Sequence, residues 1–211
     1  MTALGAAAII TKLMGTAVAF RRCGRAKLSA LHGERLAAVA KSAGVSIPAE
    51  SLDVIALQGK NTAAFVAARI ALGKLWTVNG GDQVNLTYGI AIVRGASDTS
   101  STFRYLVHST WAAGMSQYNS NWRPRPDLLE TTRAKRAGYT PVYELDGVKI
   151  LTAAAPILRE DGSAAGFVVT TLDATSFLDD LEDQILRLAA LSLLAFAIAV
   201  PLSIWLGRRL S

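Results

Sequence analysis

The chain has 211 residues, 51% of them hydrophobic and 18% charged, with a formal net charge of +6. That length suits one domain of ordinary size plus membrane segments, and the mixed composition, with few low-complexity tracts, excludes a disordered chain. No Lys/Arg stripe interleaved with aromatics points to nucleic acid. A single cysteine, Cys23, and two distant histidines, His32 and His108, with no HExxH run, exclude a disulfide framework and give no metal or cofactor expectation.

In chain order, MTALGAAAIITKLMGTAVAF (1–20) is apolar except for Lys12. A mid-span Lys costs roughly 2.5–3.5 kcal/mol on the insertion scale, and alanines offset little of it. Ala17-Val18-Ala19 resembles a signal-peptidase site. Arg21, Arg22, Arg25 and Lys27 follow at once and resist export. The segment reads as an uncleaved first span or signal anchor, with a cleaved signal as the alternative.

Residues 26–44 read as a helix, with Leu28, Leu31, Leu36 and Val39 at near-helical spacing and Gly44 at its end. Ser46 to Glu50 looks like a helix start. One or two further helices follow, broken near Gly59 and Gly80. The texture then becomes β-branched: VNLTYGIAIVR (84–94) and FRYLVHS (103–109) read as strands. Residues 110–138, rich in Trp, Asn, Arg and Pro, read as irregular or partly helical. PVYEL-DG-VKILTAAAPIL (141–158) is a hairpin whose Asp146-Gly147 suits a type I′ turn. REDG turns again, and GFVVTTLD (166–173) is a fifth strand. Helix resumes after it, with Thr175 or Ser176 as N-cap. The order predicts an α+β domain, a five-stranded antiparallel sheet with flanking helices.

LAALSLLAFAIAVPLSIWL (188–206) carries no charge and at about 1.5 Å per residue spans roughly 28 Å, close to a bilayer's hydrocarbon core. Pro201 is tolerated in a span, and Trp205 sits where interfacial indoles are enriched. A buried core helix is the alternative. Asp179, Asp180, Glu182 and Asp183 precede the segment, and Arg208 and Arg209 follow it. The positive-inside rule then puts the C-terminus in the cytoplasm. The expected organisation is a membrane segment at 1–20, an extracytoplasmic domain at 21–187, a transmembrane helix at 188–207 and a cytoplasmic end at 208–211.

The helix after the first span, the strand pair VNLTYGIAIVR and FRYLVHS, and above all AAAPILREDGSAAGFVVTTLDATSFLDDL together carry a family likeness. The chain resembles the extracytoplasmic PAS-like (Cache, or PDC) sensor domains of bacterial transmembrane receptors, whose ending runs API-x-x-x-DG-x-x-x-G-x-x-x-x-x-x-D into the second span. The resemblance covers roughly residues 21–187. It implies strand order 2-1-5-4-3, a long N-terminal helix that pairs two subunits into a homodimer, and an inner-membrane location. It also implies a cytoplasmic output module of kinase, cyclase or chemotaxis type. No such module follows here, so the expectation is a truncated receptor or a sensor half that works with a partner chain.

The connector between the second and third strands carries Trp111, Tyr118, Trp122, Arg123 and Tyr139. In the resembled domains this region roofs the ligand pocket. Aromatic walls plus an Arg suit a small organic anion or amino acid, with the guanidinium as clamp and a ring face for an amine. Asp173, ending the fifth strand, suits a ligand ammonium. For each of these residues the plainer reading stands beside it: packing for Trp111 and Trp122, a solvated charge for Arg123, a helix cap for Asp173. No catalytic residue is expected. His108 and Ser109 are strand neighbours that point to opposite faces, and no GxSxG elbow is present. Two function classes remain: a sensor that binds a small ligand and signals through its second span, and a membrane-anchored interaction subunit whose sheet holds a partner protein.

Overall fold

The computed structural model of the chain describes residues 3–79, 88–96, 100–109 and 118–209. The chain divides into two compact units: Leu28–Ser176, and Met1–Lys27 with Phe177–Ser211.

In the first unit, seven strands form one antiparallel sheet. They are β1 (Tyr88–Gly95), β2 (Phe103–His108), β3 (Asn121–Trp122), β4 (Gly138–Tyr139), β5 (Tyr143–Leu145), β6 (Val148–Leu158) and β7 (Ala164–Asp173). Their order is β3-β2-β1-β7-β6-β4, with β5 also pairing β6. The five strands expected from sequence are all present and pair in the expected order β2-β1-β7-β6-β5. The count of five is corrected by β3 and β4, two-residue additions at the edges, too short to show any alternation. The mixed α+β class and the antiparallel sheet stand. Asp146 and Gly147, both at positive φ (50° and 80°), make the expected type I′ connection between β5 and β6.

Helix α1 runs from Ala3 to Ser46 without a break, so the helix expected at 26–44 is the end of a longer one. Gly44 does not end it. A Cβ there would meet the Pro156 carbonyl oxygen at 2.9 Å, so the glycine allows the helix to lie against β6. Helices α2 (Ala49–Gln58) and α3 (Ala63–Val78) follow, separated at Gly59 as expected. Thr62 caps α3 by accepting the Phe65 amide at 3.2 Å. These helices cover one face of the sheet. Leu36, Val39, Leu52, Ile55, Phe65 and Leu72 are buried there, and the Thr170 hydroxyl of β7 donates to the Leu36 carbonyl at 3.2 Å. Asp53 of α2 receives two guanidiniums from the sheet, Arg94 at 2.8 Å and Arg159 at 2.9 Å. The stripe Leu28–Val39 is therefore divided: Leu36 and Val39 are inside the unit, while Leu31 is 63% exposed and available to a neighbour.

The opposite face packs around Val93, Phe103, Ala154, Phe167 and Val169, closed by Leu128 of α4 (Pro126–Arg133) and by Trp122. β2 carries a bulge. Val93 pairs with Tyr105 but Ile92 pairs with Val107, so Leu106 is the extra residue.

The second unit contains most of α5 (Thr175–Arg209), whose early residue Glu182 pairs with Arg25 of α1. Among the described residues one segment, Leu178–Leu202, is long and apolar enough to cross a membrane. It starts about three turns earlier than the sequence reading placed it. Of the two spans expected, this criterion finds that one, and the first is not shown. Leu178 at its start is buried, but none of its 18-residue apolar window is, which does not suit a core helix.

Candidate functional site

Strand alternation and register define what the face opposite α1–α3 presents. From β1 come Gly89 and Ala91, from β7 Thr171, and from β6 Thr152 and Ala154, as cross-strand partners or diagonals on the same side. These are small residues where the other end of the face has Val93, Phe103 and Phe167. Ala91, Thr152 and Ala154 are buried all the same.

The groups around that floor are polar. The Tyr143 hydroxyl meets the Thr152 hydroxyl at 3.1 Å, and the Thr140 hydroxyl accepts the Thr152 amide at 3.1 Å. Thr140 and Thr152 are buried. The Tyr105 and His108 rings stand 6.4 Å apart on the same side. They share a face only because of the bulge at Leu106, since residues three apart on a regular strand point to opposite faces. Arg125 stacks over the Tyr143 ring at 4.7 Å, and its charge is exposed. The arrangement offers hydroxyls and an imidazole above a small-residue floor. It can hydrogen-bond a small polar molecule. Ser109 is occupied: its amide donates to Ile90 O at 2.8 Å and its hydroxyl accepts the Ile90 amide at 3.1 Å. Among the described residues no base is brought to that hydroxyl.

The residues singled out from sequence lie in separate environments. Trp122 packs edge-on against Phe103 at 5.6 Å and closes the apolar end of the face. Tyr118 lies with α2 and α3. Its hydroxyl donates to Ile55 O at 3.3 Å and its ring meets Phe65 edge-on at 6.2 Å. Tyr139, on β4, lays its ring against Gly33 of α1. Arg123 is exposed. Asp173 stands at the polar end of the face, opposite Ile150, but one oxygen accepts the Thr175 amide at 2.8 Å and turns the chain into α5. Thr175, expected as the cap, instead accepts the Lys149 amide at 3.3 Å. Trp111 lies outside the described residues. Tyr105, Thr140, Tyr143, Thr152 and Thr171 were not singled out. The signal available for them was the run of Gly, Ala and Thr at alternate strand positions, GIAI, TAAA and VVTT.

Neither a known protein family nor a curated protein matches this sequence. Among solved structures, the chain is similar to the GAF domain of A. aeolicus nlh2 in an inactive state, at 12% identity and a TM-score of 0.33, covering 70% of this chain and 90% of that one. A likeness at that level fixes neither fold nor function.

Proposed function

We propose that the chain is a membrane-bound sensor: its sheet domain, PAS-like in design, binds a small polar ligand outside the cytoplasm, and α5 carries the response across the bilayer to an output module. The observation that carries this reading is the join between β7 and α5. The strand ends at Asp173, the helix starts at Thr175, and the helix then exposes a continuous apolar surface. Leu186, Leu188, Leu191, Leu193, Leu194, Ile198 and Leu202 are each 54–66% exposed in the chain. Burial of such side chains is worth about 1.5–3 kcal/mol each, so leaving seven in water forfeits on the order of 10 kcal/mol or more. A bilayer removes that cost. The Arg209 guanidinium over the Trp205 ring at 5.0 Å suits the water interface at the helix end.

Orientation follows from the acids before the span and the arginines after it. Alkaline phosphatase fused after Gly138 is expected to be active, and a cytoplasmic reporter after Ser211 is expected to work; the reverse pattern refutes the topology. Ligand binding is tested by thermal-shift screening of the full chain in detergent with amino acids and small organic acids. No hit would favour the interaction-subunit alternative. Homodimerisation belongs to the same proposal, with Leu31 as the exposed contact on α1, and crosslinking through Cys23 in native membranes tests it.

A further inference from the structure

We propose that the outer face of α3 docks a helix of another protein, one whose flanks are acidic. Phe65, Ala68 and Leu72 of α3 are buried, and the helix packs on β1 and β2. With about 3.6 residues per turn, the opposite side carries Val66, Ile70 and Thr77. Val66 and Ile70 are 53% and 54% exposed, and Ala67 beside them is exposed too. Val66, Ile70, Gly73 and Thr77 follow the alternating four- and three-residue spacing of a helix-pairing seam. The Thr77 hydroxyl donates to the Gly73 carbonyl at 3.1 Å, so its polar atom is spent within α3.

Gly73 is the observation that selects a helix as the partner. Glycine inside a helix is less favourable than alanine, unless something needs the missing side chain. Two other helix glycines of the first unit show such a need. A Cβ on Gly33 would strike the Tyr139 ring, and one on Gly44 the Pro156 carbonyl oxygen. A Cβ on Gly73 would meet nothing within 4 Å among the described residues. The neighbour that would account for this glycine therefore lies outside the chain. A position without bulk lets a second helix bring its axis close. A lipid surface gains nothing from missing bulk and would gain from a larger apolar side chain.

Charge names the flanks of that partner. Residues 59–79 hold Lys60, Arg69 and Lys74 and no acid. Lys60 and Lys74 are exposed, before and along the seam. A second copy docking α3 on α3 would set cations against cations, whichever way the helices run. An apolar helix edged with Asp or Glu meets the same surface with the opposite charge.

The test is the maleimide labelling rate of Ala67→Cys in the full chain carrying Cys23→Ser. Membranes of the native organism, which hold the partner, are compared with the purified chain in nanodiscs of zwitterionic lipid. Labelling should be about tenfold slower or more in the membranes, and a control at Glu144→Cys, exposed on β5, should react equally in both. High salt, Lys74→Glu and Gly73→Leu should each restore the fast rate. Gly73→Ala separates docking from folding: the melting temperature of the purified chain should rise by roughly 2–4 °C, while protection in the membranes weakens. Equal rates in membranes and nanodiscs overturn the proposal, as does protection that survives Gly73→Leu. Protection that appears in the nanodiscs also overturns it, naming a second copy if it grows with chain concentration and the bilayer if it needs anionic lipid.

Discussion

Gly166 sits in the DG-x-x-x-G run from which the sensor resemblance was read, and its surroundings set what replacing it does. A Cβ on Gly166 would lie 2.9 Å from the Val93 carbonyl oxygen and 3.0 Å from Leu52 Cδ1. The first neighbour is backbone in the paired strand β1. The second is a side chain with no exposure, at the middle of α2. Neither can move freely, so Gly166→Ala must push α2 away from β7. Overpacking of this kind costs about 1–3 kcal/mol. For a chain of this size that corresponds to a fall in melting temperature of roughly 2–12 °C. The assay is thermal unfolding of the full chain in detergent, repeated in a Leu52→Ala background. Leu52→Ala alone should cost about 2–5 kcal/mol. It also removes one of the two clashes, so adding Gly166→Ala should then cost less than it does in the native chain. The saving should exceed the roughly 0.3–0.5 kcal/mol within which independent sites add. An unchanged melting temperature for Gly166→Ala, or strict additivity of the pair, would refute the reasoning.

Asp173→Ala removes the acceptor of the Thr175 amide at the start of α5; a loss of about 0.5–2 kcal/mol is expected in the same unfolding assay, and Asp173→Asn should recover most of it. Burial first, and the nearby Arg35 charge second, hold the His32 imidazole below its ordinary pKa. The folded state therefore takes up fewer protons than the unfolded chain. Stability is full above the ordinary imidazole range and declines as pH falls through it, a decline that melting curves from neutral to mildly acidic pH should show and that His32→Gln should flatten.

The longest strands were legible because they alternate or carry β-branched runs between turn residues, and Asp146-Gly147 named its own turn. What escaped was set by tertiary contact. The bond from Thr170 to Leu36 joins residues far apart in sequence, and no local pattern says that Gly44 stays helical because β6 approaches it. PDLLETTR did carry signals for α4, Pro126 at its first turn and Asp127 beside it. The region reads as irregular or partly helical, and the surrounding Trp, Arg and Pro residues hide where its helix begins and ends. The candidate site was the least legible part. Large aromatics and an Arg drew the eye, yet Trp122, Tyr118 and Tyr139 are packed in three different places. The sheet face opposite the helices carries Gly89, Ala91, Thr152 and Ala154, residues with little side chain, and absence of bulk is a weak signal in a sequence.

The extra residue in β2 has a consequence for how that strand can change. A strand is a two-state counter, in which each step along the chain switches the side presented. Leu106 resets the count: Leu106 and Val107 are both buried, and His108 stands beside Tyr105. Every position after the bulge is therefore out of phase with every position before it. Removing Leu106 would restore regular alternation and move nothing else: Tyr105 would still face Val93, Val107 would face Ile92 and His108 would face Ala91. The His108 imidazole would keep its side, and only the Leu106 side chain would leave the helical side. A residue removed from the paired stretch Phe103–Tyr105 has no such slack and would turn the residues before it to the other face. The strand therefore carries its one spare letter at Leu106.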